Sequence, residues 1–110
     1  MSDELKRYLE DVLHSILMIE TFKADVASFQ QYEANDMLKS AVHWQLSVLG
    51  EALNNALKMD ATLAISNGRK VVDMRNKLIH GYDEVEDTVV WNVLVKYLPL
   101  LKEEVALLLK

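Results

Sequence analysis

Apolar residues return every three or four positions along most of this 110-residue chain, and that spacing narrows its possible folds more than any other feature. In an α-helix such positions share one face, whereas a half-buried strand needs alternation with period two. Leu5, Tyr8, Leu9, Val12, Leu13, Ile16, Ile19 and Phe22 form the first series, and Ser2 and Asp3 before it suit an N-cap. A helix is expected over roughly 3–24. Leu38, Ala41, Val42, Leu46, Leu49, Leu53 and Ala56 form the second, expected over roughly 36–59 with Asn35 or Asp36 as its cap. Between the two, Ser28 can cap a short turn containing Phe29 and Tyr32. "DATLAIS" reads as a linker. Ser66 or Asn67 then caps a third helix over roughly 67–80, and Gly81 suits the left-handed position that often closes a helix. Asp87 opens the final helix, with Val90, Leu94, Tyr97, Leu98, Leu101, Val105 and Leu108 on its apolar side. Pro99 lacks an N–H and is expected to kink or interrupt that helix. The sequence shows no strand alternation, internal repeat or low-complexity tract. The expected fold is an all-α, antiparallel up-and-down bundle of about four main helices in a single domain spanning 1–110.

Composition supports this. Three glycines and one proline are too few turn-formers for a sandwich or barrel, while 51% hydrophobic residues can bury a core. The five methionines read as core filler. The absence of cysteine excludes disulfides and cysteine-based zinc sites and suits a reducing cytoplasm. The N-terminal residues lack the apolar core of a signal peptide. No uncharged apolar run approaches the roughly 18 residues that span a membrane. His14, His43 and His80 have no metal-ligand spacing, and no glycine-rich phosphate loop or Ser-His-Asp set is present, so neither metal nor cofactor is expected. Glu103 and Glu104 read as solvated helix surface.

The second helix carries a further apolar set, Met37, Trp44 and Val48, on a different side from its main stripe. Two stripes imply burial on two sides. The second side is either a subunit interface or a face enclosed within the same chain. A core this small is only marginally stable alone, and association would help it.

The third helix contains an anomaly in the stretch "MRNKLIHGY". At 100° per residue, Val71, Val72, Met74, Leu78 and Ile79 form one apolar arc, and Arg75 falls inside it. A guanidinium in apolar surroundings is costly unless paired. Arg75 therefore either snorkels to water or pairs with an acid, and Glu51 on the flank of the Trp44–Val48 face is the candidate. His80 lies about 140° round the helix from Arg75. It occupies the last turn, where a helix can tighten or unwind and where its C-terminus favours an imidazolium. Asn76 is four residues before His80 and could orient its ring. Either residue also has an ordinary reading, His80 as a capping or surface side chain and Tyr82 as a packing aromatic. Residues 69–80 carry Arg69, Lys70, Arg75 and Lys77 against Asp73 alone, a local charge of +3 on a chain of −5. Phosphate binding needs such a local patch when the overall pI is about 5.1.

Together these residues resemble the HEPN superfamily, and within it the HepT-like toxin family, whose R-x-x-x-x-H-x-Y signature is matched by Arg75, His80 and Tyr82. "VLGEALNNAL" resembles the family's I-G-E-A segment, and "VVWNVLVKYLPLLKEEV" its final helix; the likeness covers about residues 36–105. The resemblance implies an all-helical homodimer, two-fold symmetric, acting as a metal-independent ribonuclease. It implies a toxin encoded beside a minimal nucleotidyltransferase antitoxin. By residue-for-residue match, Arg75 and His80 would be catalytic; beside them, Asn76 and Glu51 are supporting candidates by their positions, and Arg69, Lys70 and Lys77 RNA-binding candidates by their charge. Tyr82 would be the tyrosine that the antitoxin adenylylates. An alternative is a non-catalytic helical module that binds a nucleotidyltransferase or a nucleotide. A purely structural helical dimer remains a third reading.

Overall fold

The first three helices begin where a side chain satisfies one of their free N–H groups. In the computed structural model, which describes residues 1–81 and 85–110, α1 spans Asp3–Phe22 and is capped by the Ser2 hydroxyl, which accepts from the Leu5 N–H at 3.1 Å. The short α2, Phe29–Glu33, is capped by Ser28, and α3, Asp36–Met59, by Asn35, whose Oδ1 accepts from the Leu38 N–H at 3.0 Å. α4, Gly68–His80, has no such cap: Asn67 holds the cap position without a side-chain bond. Ser66, the other expected cap, instead donates through both its N–H (2.9 Å) and its hydroxyl (2.7 Å) to Glu104. Glu104 is thus a tie between the α3–α4 linker and the last helix, not the solvated carboxylate expected.

The final segment begins as α5, Asp87–Asn92, widens into a π-helical turn at Val93–Tyr97, and continues as α6, Leu98–Leu108. Pro99 sits in the first turn of α6. It has no N–H to offer the Val95 carbonyl, and the Leu98 N–H reaches back five residues to the Val93 carbonyl. The proline interrupts the helix as expected, and it does so by widening one turn.

α3 is the central helix. α1 packs along one side of it, α4 along another, and α6 against α1. α3 and α4 run antiparallel: Gly50 faces Arg75 at one level, and Gly68 lies beside Leu57 at another. The core is built from Leu9, Val12, Ile16 and Ile19 of α1, Val42, Leu46, Leu49 and Leu53 of α3, and Val71, Val72 and Leu78 of α4. Val90, Leu94, Leu101 and Val105 close it. Each fully buried leucine contributes about 1.5–3 kcal/mol relative to exposure. Tyr32 of α2 is fully buried and its ring lies 5.5 Å from that of Trp91. The fold is an all-α antiparallel bundle, and no described helix is long and apolar enough to cross a membrane.

Two further expectations change, and one of two open readings falls. Only Met74 joins the buried core, while Met1, Met37 and Met59 are exposed, so methionine is not a general core filler here. Gly81 is not left-handed: its φ is −140° and ψ 47°, and no described residue has positive φ. Helix α4 closes with an ordinary bond from the Gly81 N–H to the Lys77 carbonyl at 2.7 Å, so no left-handed residue is required. Finally, Met37 and Trp44, 84% and 68% exposed, are not enclosed by their own chain.

Candidate active site

The backbones of α3 and α4 approach closely because residue 50 has no side chain. A β-carbon there would overlap the Cβ and Cγ of Arg75 and lie 3.3 Å from its Cδ. The aliphatic stem of Arg75 therefore lies directly on α3. The guanidinium emerges beside Glu51, the next residue, and Nη2 forms an ion pair with Glu51 Oε2. Nη1 donates to Asn76 Oδ1 at 2.7 Å. The acid demanded by the position of Arg75 in the apolar arc is thus Glu51. The two partners differ in exposure: the Arg75 side chain is 14% exposed and the Glu51 side chain 59%. Nε of Arg75 is buried without a hydrogen-bond partner among the described residues.

Glu51 also lines a groove of about 360 Å³ between α1, α3 and α4. Tyr8, Trp44, Val48 and Ile79 form its apolar walls, and Asp11 and Glu51 its acidic rim. A neighbouring recess of about 300 Å³ shares Trp44 and Ser47 and adds Ser40, His43 and Leu78. Burial lowers the pKa of His43 below the usual histidine value; Asp87 opposes this shift and Lys39 adds to it.

His80 follows Ile79 and is exposed. The Gly81–Lys77 bond shows that α4 stays regular through its last turn, so the helix does not unwind to swing His80 toward Arg75. Within one chain the two side chains leave α4 in directions about 140° apart. Nor do the expected RNA-binding residues share the Arg75 flank. Lys70 and Lys77 line a separate cleft of about 300 Å³ facing Asn92, Val93 and Tyr97. Lys70 donates to the Tyr97 hydroxyl at 3.2 Å and sits 5.3 Å from the centre of that ring. Arg69 is exposed. The basic charge of α4 is therefore divided between Arg75, seated on α3, and Lys70 and Lys77, which line the cleft with Tyr97. Tyr82 lies outside the described residues.

Two contributors carried no role in the sequence reading. Gly50 was legible as the mid-helix glycine of the stretch that resembles I-G-E-A, and such a glycine costs about 1 kcal/mol in helix propensity unless packing requires it. Tyr97 read as core, yet its ring and hydroxyl anchor Lys70.

Residues 12–108 match the family model described as HepT-like, ribonuclease HepT-like. The chain belongs to the HepT-like ribonuclease family. Among curated relatives, it is 33% identical over 98 residues to "Probable ribonuclease HepT" of Thermococcus cleftensis, covering 88% of each chain. It is 30% identical over 100 residues to a "Putative RNase" of Caldanaerobacter subterraneus, covering 89% of this chain and 88% of that one. It is 31% identical over 107 residues to a "Gamma-glutamylcyclotransferase and putative RNase" of Methanocaldococcus jannaschii. That match takes in 96% of this chain, which spans just under half, 47%, of that relative. No solved structure gives a significant match.

Proposed function

We propose that this HepT-like protein is a metal-independent endoribonuclease whose site, within a single domain spanning residues 1–110, is completed by a second copy of the chain. The observation that carries this reading is the seating of Arg75. A cation is held on Gly50 at the edge of an open groove, five residues along α4 from an exposed histidine.

RNA can be cleaved through its own 2′-hydroxyl. The 2′-oxygen attacks the adjacent phosphorus, the bond to the 5′-oxygen breaks, and a 2′,3′-cyclic phosphate and a 5′-hydroxyl result. The reaction needs a base for the 2′-hydroxyl proton, an acid for the leaving oxygen and positive charge on the phosphorane. Arg75 supplies the charge, and His80 the proton transfer. One chain offers a single His80, pointed away from its own Arg75. A two-fold dimer brings two of each and lets Arg75 of one copy meet His80 of the other. The exposed Trp44, Val48 and Ile79 groove borders Glu51 and supplies an apolar surface for that association. Asn76 supports Arg75 and Glu51 is its acidic partner, while Arg69, Lys70 and Lys77 guide the RNA strand through phosphate contacts.

In this reading the protein is a cytoplasmic toxin neutralised by a nucleotidyltransferase antitoxin. Adenylylation of Tyr82 would set a phosphodiester anion and a bulky nucleotide two residues from His80, repelling RNA. If Tyr82→Phe is neutralised by the antitoxin as well as wild type, this part fails. The main test is cleavage of RNA by the purified protein in EDTA. Wild type should cleave and His80→Ala should not; an inactive wild type, or an active variant, rejects the reading. The divergence of Arg75 and His80 within one chain favours a second reading, a non-catalytic module binding a nucleotidyltransferase or a nucleotide. It would give RNA or nucleotide binding without cleavage.

A further inference from the structure

The two members of the Arg75–Glu51 pair are held very differently. The stem of Arg75 is wedged against the α3 backbone at Gly50, and Asn76 holds its planar head from below at 2.7 Å. Most of that side chain is buried, so the guanidinium cannot move far. Glu51 reaches it from the solvent side and is more than half exposed. It also borders the groove, which has room for a displaced carboxylate. A largely buried cation is thus joined to a largely exposed anion.

Carboxylate and phosphate oxygens offer a guanidinium the same kind of paired acceptor. An RNA phosphate arriving at Arg75 therefore meets a cation already neutralised by its nearest rival. We propose that Glu51 is a displaceable counter-ion: it occupies the phosphate position of Arg75 in the free protein and swings out when RNA binds. This inference rests on the reading of Arg75 as the phosphate clamp. It gives Glu51 a role opposite to permanent support. In the free chain the carboxylate relieves the cost of a half-buried charge. An ion pair with one partner so exposed is individually weak, so a phosphodiester backed by the remaining basic residues of α4 can displace it. Asn76 makes a neutral bond and stays, keeping the guanidinium plane in place through the exchange.

The test is equilibrium binding of a short, mixed-sequence 2′-O-methyl oligoribonucleotide, which lacks the attacking hydroxyl, measured by fluorescence anisotropy over a range of salt. Four proteins are compared: wild type, Glu51→Gln, Arg75→Gln and the double variant. Arg75→Gln keeps a stem on Gly50, and Glu51 is largely in solvent, so folding should survive each change; a thermal melt checks it. Glu51→Gln should bind about five- to tenfold more tightly, since a competing pair and a repulsive charge are removed. Its affinity should fall more steeply with salt, by about 0.7 in the slope of log K against log salt, as one more phosphate–cation contact forms unopposed. The gain should disappear in the Arg75→Gln background. If Glu51→Gln binds equally or less well while Arg75→Gln is weakened, Glu51 is a fixed support and the counter-ion proposal is overturned, with the Arg75 reading intact. A gain that persists without Arg75 also overturns it, because Glu51 would then be only a repulsive surface charge. If Arg75→Gln binds as tightly as wild type, both the proposal and the phosphate-clamp reading fall.

Discussion

Replacing Gly50 with alanine tests whether Arg75 is seated as the structure describes. On helix propensity alone the change should stabilise α3 by about 1 kcal/mol, because glycine is the costlier residue in a helix interior. The contact works the other way. The added methyl would overlap Cβ and Cγ of Arg75 and press on Cδ at 3.3 Å. Cβ belongs to the α4 scaffold and cannot rotate aside, so the two helices must separate. Overpacking of this kind costs about 1–3 kcal/mol, and a contact with no rotamer escape belongs in the upper half of that range. The net expectation is a loss of about 1–2 kcal/mol, or about 5–10 °C in Tm for a domain of this size. Urea unfolding followed by far-UV circular dichroism measures the first, and a thermal melt the second. The guanidinium should move with its stem, so RNA affinity should fall in the same variant. A Gly50→Ala protein as stable as wild type or more so, with unchanged RNA affinity, would refute the seating argument.

Cap residues give a second check, since Asn35→Ala removes a cap bond at 3.0 Å and should cost about 1 kcal/mol, whereas Asn67→Ala removes none and should cost less than about 0.5 in the same urea assay. Trp44→Glu should leave the fold intact, because the ring is 68% exposed, but convert a dimer to monomer in sedimentation analysis; an unchanged assembly would show that this groove is not the subunit interface. His43 has a folded-state pKa below its ordinary value of about 6.5, chiefly through burial. The unfolded chain therefore takes up a proton before the folded one does, so stability should fall as pH drops below about 6.5. His43→Gln should flatten that part of the stability–pH curve, and an unchanged slope would assign it to other groups.

How far the sequence revealed this molecule depended on how local the cause was. Helix limits followed from periodicity and capping chemistry, both local: α3 falls on 36–59 as expected, and Ser2, Ser28 and Asn35 cap as their side chains allow. Pro99 interrupts its helix because one missing N–H acts on its own turn. Other errors arose where a distant residue decided the outcome. Ser66 did not cap α4 because Glu104, far along the chain, claimed both its donors. The +3 charge of residues 69–80 looked like one patch in sequence, but the seating of Arg75 on α3 and the cleft that Lys70 and Lys77 line with Tyr97 divide it. Arg75 shows both cases. Its cost inside an apolar arc was readable and named Glu51 as partner. The role of Gly50 was not, because only the approach of two helices makes a missing methyl group matter.

The central claim is that His80 and Arg75 cleave RNA through its own 2′-hydroxyl, and end-group analysis of the products tests it most directly. Purified protein incubated with RNA in EDTA should leave 2′,3′-cyclic phosphate and 5′-hydroxyl ends, and neither His80→Ala nor Arg75→Gln should produce them. Products ending in 3′-hydroxyl and 5′-phosphate, or cyclic-phosphate ends formed undiminished by His80→Ala, would contradict the mechanism.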